Sequence, residues 1–272
     1  MIDFPGSKIN LGLRVIQRLT NGYHLIESIF IPTTFSDVLE LIKVESAENS
    51  RFYFNGIEIP GDPKDNLIYK AYSLLSKDFK IPSFEAHLLK VIPTGTGLGG
   101  GSADASSMLK LLNNVFELSI SIKDLESLAK MLGADCPFFI KKESAYVEGI
   151  GDKITPFEID LSSYYLLIVC PDLHINTREA FQNIAPKTVN NHLKDIIQTY
   201  PIEEWKSYVF NDFEDYAFHI YPLLEDIKDE IYEMGAIYAS MSGSGSAIYG
   251  IFENKVELDP SIQDLTHYWQ KL

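Results

Sequence analysis

The chain has 272 residues, enough for one large domain or two modest ones around a buried core. Its 23 Lys and Arg against 38 Asp and Glu give a net charge of −15, which argues against a general nucleic-acid or anionic-membrane binder. An anionic small molecule stays open, because backbone N–H groups bind phosphate without net positive charge.

The first patterned segment, "KINLGLRV" at residues 8–15, alternates as a strand. "ESIFIPTTFSDVLELIKV" predicts one or two more, broken near Pro32 and Ser36-Asp37. "RFYFNGIEIP" sets Asn55-Gly56 between two apolar-rich arms and predicts a hairpin. "NLIYKAYSLLSKDF" carries Leu67, Ala71, Leu74 and Leu75 at helical spacing, and "FEAHLLKVIP" is a strand delivering the chain to a glycine run. Beyond the glycines, "SADASSMLKLLNNVFEL" and "SIKDLESLAKMLG" predict helices; Ser121 with Asp124 caps the second, and Gly133 falls at its C′ position. A polar, turn-rich stretch near 150–163 suggests a soft boundary, followed by the apolar strand "YYLLIVCPD". The rest reads as a helix ("TREAFQNI"), an acidic helical region at about 190–234, and two strands, "AIYASMS" and "SAIYGIF", around a Ser/Gly turn. Strands and helices interleave without a strict βαβ rhythm, which favours an α+β class.

Two cysteines, Cys136 and Cys170, are too few for a disulfide framework or a cysteine zinc site. No apolar run approaches the ~20 residues of a membrane span. The start, "MIDFPGSKINLGL", carries no leader pattern, so a cytoplasmic protein with reduced thiols is expected.

Four segments carry chemistry. In "VIPTGTGLGGGSADASSM" a Walker A reading fails, because Gly101 stands where its lysine belongs. Gly95, Gly97 and Gly100 satisfy G-x-G-x-x-G, a weak dinucleotide signal, and no H-R-D or D-F-G follows to make a protein kinase. The geometry that remains is a strand ending at Pro93, a glycine turn and a helix starting near Ser102, whose first N–H groups and positive dipole end form an anion cradle. The residues alone do not choose between dinucleotide and triphosphate. Lys8, by itself, reads as a solvated lysine at a strand end. Asp135, between Gly133 and Pro137 in "GADCPFFI", reads by itself as a helix N-cap. "MSGSGSAIYGIF" reads by itself as a hairpin turn.

All four in this order resemble the GHMP kinase superfamily, whose signatures are an N-terminal strand with lysine, a P-x-x-x-G-L-G-[GS]-S loop and a C-terminal Ser/Gly turn. The likeness covers residues 7–38 and 93–151, with weaker support at 171–182 and 240–252. "NGYH" at Asn21–His24, "GLGGGSADA" and "LGADCPFF" narrow it to the branch that phosphorylates the 2-hydroxyl of a cytidylyl methylerythritol with ATP, in non-mevalonate isoprenoid synthesis.

The resemblance implies a two-domain α+β fold, an N-terminal domain over 1–157 and a C-terminal domain over 158–272, with the active site in the cleft between them. It implies Lys8 and Asp135 as catalytic residues: Asp135 takes the proton of the attacking hydroxyl, and Lys8 offsets developing negative charge and holds the aspartate ionised. Pro93, Thr94, Gly95, Thr96, Gly97, Leu98, Gly99, Gly100, Gly101, Ser102 and Ala103 match the ATP-phosphate loop. Asn66 matches a position near adenine, or serves as a helix N-cap. Tyr23 and His24 match residues that hold the cytosine ring, and Asn10 a contact near the reacting end of the substrate. Thr177 and Phe181 match as substrate contacts in a register the pattern does not fix, Phe181 as a second stacking ring or a core residue; Gly243 and Ser244, in the Ser/Gly turn, are expected to contact the substrate. ATP implies Mg²⁺, held mainly by phosphates and water rather than by a protein carboxylate cluster. Where the family commonly has two loop serines, this chain has Ser102 then Ala103, so a contact made by the second hydroxyl is missing. Another small-molecule kinase of the superfamily, a non-catalytic nucleotide-binding regulator and an oxidoreductase with a dinucleotide site are the competing readings. Retention of both Lys8 and Asp135 speaks against the regulator, and "NGYH" against other kinase substrates.

Overall fold

The computed structural model describes residues 1–44, 49–187 and 191–272. The N-terminal alternation becomes β1 (Ile2–Asp3), β2 (Gly6–Arg18), β3 (His24–Ser36), β4 (Val38–Lys43) and β5 (Arg51–Gly56). Then come α1 (Leu67–Leu75), β6 (Phe84–Lys90), α2 (Gly100–Val115), α3 (Ile122–Leu132) and α4 (Phe138–Lys141). Strands β7 (Ala145–Gly149), β8 (Lys153–Pro156) and β9 (Tyr165–Cys170) lead to α5 (Thr177–Gln182), α6 (Leu193–Thr199), α7 (Trp205–Tyr208), α8 (Glu214–Ile220) and α9 (Leu223–Glu233). The chain closes with β10 (Tyr238–Met241), β11 (Ile248–Phe252), α10 (Pro260–Gln263) and β12 (Thr266–Lys271). The class is α+β, as expected.

Three four-stranded sheets have the orders β1-β4-β6-β5, β2-β3-β7-β8 and β10-β11-β9-β12. The chain divides into two compact units. One comprises Met1–Ser7, Thr34–Thr94 and Gly99–Glu143; the other comprises Lys8–Thr33, Gly95–Leu98 and Ser144–Leu272. The units interleave in sequence because β3 pairs with β7, Ile26 opposite Gly149 through Phe30 opposite Ala145. A single cut at 157/158 divides the chain differently.

In the first unit, Leu39, Leu41, Phe84, Ala86 and Leu88 of the sheet pack with Ile68 and Leu75 of α1 and with Met108, Leu109 and Leu112 of α2. Ala105, Ser106 and Ser107 are buried too, so α2 carries small residues along much of its length and fits closely among its neighbours. In the second unit, Leu167, Val169, Ile248 and Phe252 pack with Phe213 and with Ile227 and Ile231 of α9. Each fully buried Leu, Ile or Phe contributes about 1.5–3 kcal/mol. The acidic region contributes here: buried Glu214 accepts bonds from Ser240 Oγ (2.9 Å) and Met241 N–H (2.8 Å) and meets Lys228 Nζ at 2.7 Å, fastening α8 to β10. Residue 190, at its predicted start, lies outside the described residues. No helix among the described residues is long and apolar enough to cross a membrane.

Several local expectations change. The Asn55-Gly56 hairpin does not form: β5 pairs in parallel with β6, Arg51 opposite Glu85 through Gly56 opposite Lys90. Ile57 N–H goes to Lys90 O (2.9 Å) instead of to a returning arm, so the long-range ladder overrides the local turn signal. Pro32 does not break β3, which runs on to Ser36 beyond the end of the ladder with β7 at Phe30; the break falls at Asp37. Gly133 caps α3 in an extended conformation (φ 176°), not a left-handed one. The hairpin β7–β8 and the strand β12 lie where the sequence shows only polar or weakly patterned residues.

Candidate active site

Lys8 and Asn10 are two apart on β2, so they share a face. Lys8 is 2% exposed, which excludes the solvated-lysine reading. Its ammonium donates to Asn10 Oδ1 and to Gly97 O (2.8 Å), and lies 4.6 Å from the centre of the Phe30 ring. Asn10 is held from every side: its Nδ2 donates to Ser28 Oγ (2.9 Å), its N–H to Ser242 Oγ (3.3 Å), and its carbonyl accepts from Tyr249 Oη (2.8 Å). A buried asparagine so bonded has one orientation, and it fixes the ammonium beside it.

The front of the glycine loop is tied to the same group. Leu98 O accepts from Lys8 N–H (2.9 Å), Gly97 O from Ser242 Oγ (3.1 Å), and Thr96 O from Ala247 N–H (3.0 Å). Gly97 combines φ +76° with close approach, since a Cβ there would sit 2.0 Å from Ser242 O. Gly243 backs onto Gly97, and its carbonyl accepts from Asn211 Nδ2 (2.8 Å). Thr177 Oγ1 and Ser244 Oγ are 2.9 Å apart. The Ser/Gly turn thus braces the loop, a closer engagement than a plain hairpin turn. Gly95 is exposed and lies against the His174 ring.

His24 opens β3, buried, with its ring stacked on Phe181 (centroids 5.1 Å, planes 25° apart). Phe181 in turn meets Phe213 edge-on at 4.8 Å, so the ring stacked on His24 also packs against the core. His24 Nε2 is buried without a hydrogen-bond partner. Burial, reinforced by the charge of Arg18, lowers its pKa below the usual histidine value, so the ring is neutral and can donate or accept. Tyr23 is 59% exposed, its backbone N–H on Asn21 Oδ1 (3.1 Å).

In the first unit the rest of the loop runs into α2. Gly99, at φ +73°, stands at the N-cap, and no side chain caps the helix. The N–H groups of the first turn therefore lack both intrahelical acceptors and a side-chain substitute. Ala103 is buried and its N–H is spent on Gly99 O (2.9 Å), so the donor set of the helix end is Gly100 to Ser102. Gly101 is bare without packing need: a Cβ would meet nothing nearer than Leu67 Cδ1 at 3.7 Å. It lines a pocket of about 520 Å³ together with Thr94, Asn66, Lys90, Asp104 and the 54–65 segment that the hairpin reading misplaced. Asn66 is the N-cap of α1, its Oδ1 accepting from Ile68 N–H (2.9 Å), and it also lines that pocket. Pro93 is half-buried at the exit of the strand.

Asp135 is half-buried in the α3–α4 turn. It is not the cap of α4: Pro137 takes that position and no side chain caps the helix. Ser106 Oγ, at 2.7 Å from Cys136 O and 2.9 Å from Ser102 O, links the turn to the start of α2. Burial pushes the Cys136 thiol up to about 11, so it is no nucleophile. Ser28, Ser242, Lys90 and Asp104 escaped the sequence reading; Asp104, inside "GGSADA", and Ser242, inside "MSGSGSAIYGIF", lay in segments that carried a visible signal.

Residues 66–143 match the GHMP kinases N terminal domain and residues 201–270 the GHMP kinases C terminal domain. A 4-diphosphocytidyl-2-C-methyl-D-erythritol kinase of Azobacteroides pseudotrichonymphae is 50% identical over 254 residues, covering 93% of this chain and 94% of its own. The protein of that name from Bacteroides fragilis is 47% identical over 253 residues, covering 93% and 92%. The chain belongs to the GHMP kinase family. A crystal structure of 4-(cytidine 5'-diphospho)-2C-methyl-D-erythritol kinase superposes with a TM-score of 0.78 at 30% identity, over 92% of this chain and 89% of that one. The mevalonate kinase of Methanococcus jannaschii, at 13% identity and a TM-score of 0.67, shares the fold.

A GHMP kinase that uses ATP implies a divalent cation. Among the described residues no three His, Cys, Asp or Glu side chains gather to hold a metal. The uncapped, glycine-walled start of α2 fits a cation that arrives on nucleotide phosphates.

Proposed function

We propose that this GHMP kinase transfers the γ-phosphoryl group of ATP to the 2-hydroxyl of 4-diphosphocytidyl-2-C-methyl-D-erythritol, in the cytoplasm. The observation that carries the reading is the uncapped N-terminus of α2 opening on a pocket of about 520 Å³, large enough for a nucleoside, with Asn66, Thr94 and Gly101 in its wall. The substrate assignment is supported by His24, whose buried Nε2 lacks a partner while its ring stacks on Phe181. A cytosine edge supplies the hydrogen bond that this nitrogen lacks, and exposed Tyr23 offers a second ring face.

In the proposed reaction the substrate's 2-oxygen bonds to the γ-phosphorus, the bond from that phosphorus to the β–γ bridging oxygen breaks, and Asp135 takes the hydroxyl proton. Lys8 offsets the developing negative charge, its ammonium oriented by Asn10 and Gly97 O. The transition state is loose, so alignment and charge stabilisation outweigh the strength of the base. Gly100 to Ser102 hold phosphate oxygens through backbone N–H groups, and Asn66 meets the adenine. When bound, Mg²⁺ neutralises phosphate charge. Domains at 1–157 and 158–272 remain our proposed division of labour, and the two family matches fall on either side of it.

The test is ATP consumption with this substrate, and with mevalonate and homoserine as controls. Turnover with the cytidylyl substrate alone, reduced about 10²–10⁴-fold in Asp135→Asn and comparably in Lys8→Ala, is expected. Equal turnover with a control substrate contradicts the assignment.

A further inference from the structure

Behind the proposed nucleotide pocket lies a charge cluster that the mechanism does not use. Lys90 closes β6, and its Nζ is 2.5 Å from Asp37 Oδ2 and 3.0 Å from Asp104 Oδ2. Asp104 stands in α2 just beyond the uncapped end, and Asp37 at the β3–β4 corner. All three are at most 3% exposed. Asp37 Oδ1 is spent on Val91 N–H (2.6 Å) and Ile92 N–H (2.8 Å). Asp104 Oδ1 has no hydrogen-bond partner, although Asp104 and Lys90 both line the pocket. An orphaned buried carboxylate oxygen costs free energy without a compensating role.

We propose that Asp104, held by Lys90 and Asp37, is a positioning residue of the nucleotide site, and that its charge sets how tightly the pocket holds a nucleoside triphosphate. This rests on reading the pocket as the ATP site. With all three groups ionised the cluster carries a net negative charge, one turn behind the N–H groups that must bind phosphate. With Asp104 neutral, Lys90 and Asp37 balance, and the positive end of α2 faces the phosphates unopposed.

The surrounding charges leave this choice to Asp104. Lys90 and Asp37 face it, while Asp3 on β1 and Lys142 after α4 gather instead at Ser107 and Lys110. From α1, Lys70 turns to Asp65, and between α3 and α4 Glu126 pairs with Lys141. Glu58, Asp62 and Asp65 also line the pocket, adding to the negative field. Burial and the neighbouring Asp37 push Asp104 up to about 7 against the pull of Lys90, so it changes charge near neutrality. Burial pulls the Lys90 ammonium down, but the two carboxylates more than offset it and keep it charged. Because the Asp104 pKa is raised on folding, its contribution to stability is present at low pH and is lost as pH rises through about 7. By the same linkage, triphosphate binding draws a proton onto it.

The experiment is calorimetric ATP binding by the full chain from about pH 6 to about pH 9, in buffers of different ionisation heat, for the native protein and Asp104→Asn. Native affinity should fall about tenfold more across this range than that of Asp104→Asn, with proton uptake near neutrality that the variant lacks. ATP's own titration cancels in the comparison. Asp37→Asn, which removes the repelling neighbour, should move the native fall to lower pH. Equal pH profiles and equal proton uptake in native protein and Asp104→Asn overturn the proposal while leaving the ATP site standing. Absence of ATP binding at every pH overturns both.

Discussion

The proposed nucleotide site and the proposed cytosine contact at His24 and Phe181 are built by opposite means. The first is made of backbone and space: an uncapped helix end, glycines, and a pocket wall of irregular chain. The second is made of side chains, a buried neutral imidazole stacked on a phenylalanine that also belongs to the core. Backbone donors survive most substitutions, but the geometry that presents them does not. Side-chain recognition is lost with one residue and leaves the fold standing.

The contrast can be broken most severely at Gly97. Ala there would take a left-handed φ and drive a methyl group to 2.0 Å from Ser242 O. Gly97→Ala should destabilise the protein by about 2–4 kcal/mol in chemical denaturation. An unchanged midpoint would mean that loop and Ser/Gly turn are not braced. His24→Ala should instead leave the ATP KM alone and raise the KM of the cytidylyl substrate about 10–100-fold, the scale of one buried hydrogen bond plus stacking. Because folding lowers the His24 pKa, the neutral ring's contribution is present above the unfolded value of 6.5 and is lost as pH falls through the lower folded value. Substrate KM should therefore rise on acidification in the native protein and stay level in His24→Ala. A parallel rise in both would assign the effect elsewhere.

The smallest effect separates the two kinds of site most cleanly. At Gly101 a methyl group meets no protein atom within 3.7 Å, and alanine favours a helix by up to about 1 kcal/mol. Gly101→Ala should hold or raise the melting temperature while weakening ATP binding a few-fold. Tighter ATP binding would show that phosphate does not approach this backbone.

Legibility in the sequence followed the distance over which each feature is built. The glycine loop, the capped α3 and the strand around Lys8 are contiguous patterns with local causes, and they formed as read. Asp135 was legible as a position but not in its local role, since only the structure shows Pro137 taking the cap of α4. Asn55-Gly56 misled, because a two-residue turn signal carries no knowledge of β6, which claims the strand in parallel register and sends residues 57–65 to line a pocket. The Lys90 cluster was invisible for the same reason: its partners lie 53 and 14 residues away in the chain. The bond of Asn10 to the Ser/Gly turn spans 232 residues.

The central claim is phosphoryl transfer from ATP to the 2-oxygen of the cytidylyl substrate. It is tested most directly by phosphorus NMR of the reaction mixture. One ADP per substrate consumed is expected, with a new phosphomonoester whose phosphorus couples to the carbons around the 2-position, formed about 10²–10⁴-fold more slowly with Asp135→Asn. ATP hydrolysed to ADP and free phosphate, with the cytidylyl substrate unchanged, would contradict it.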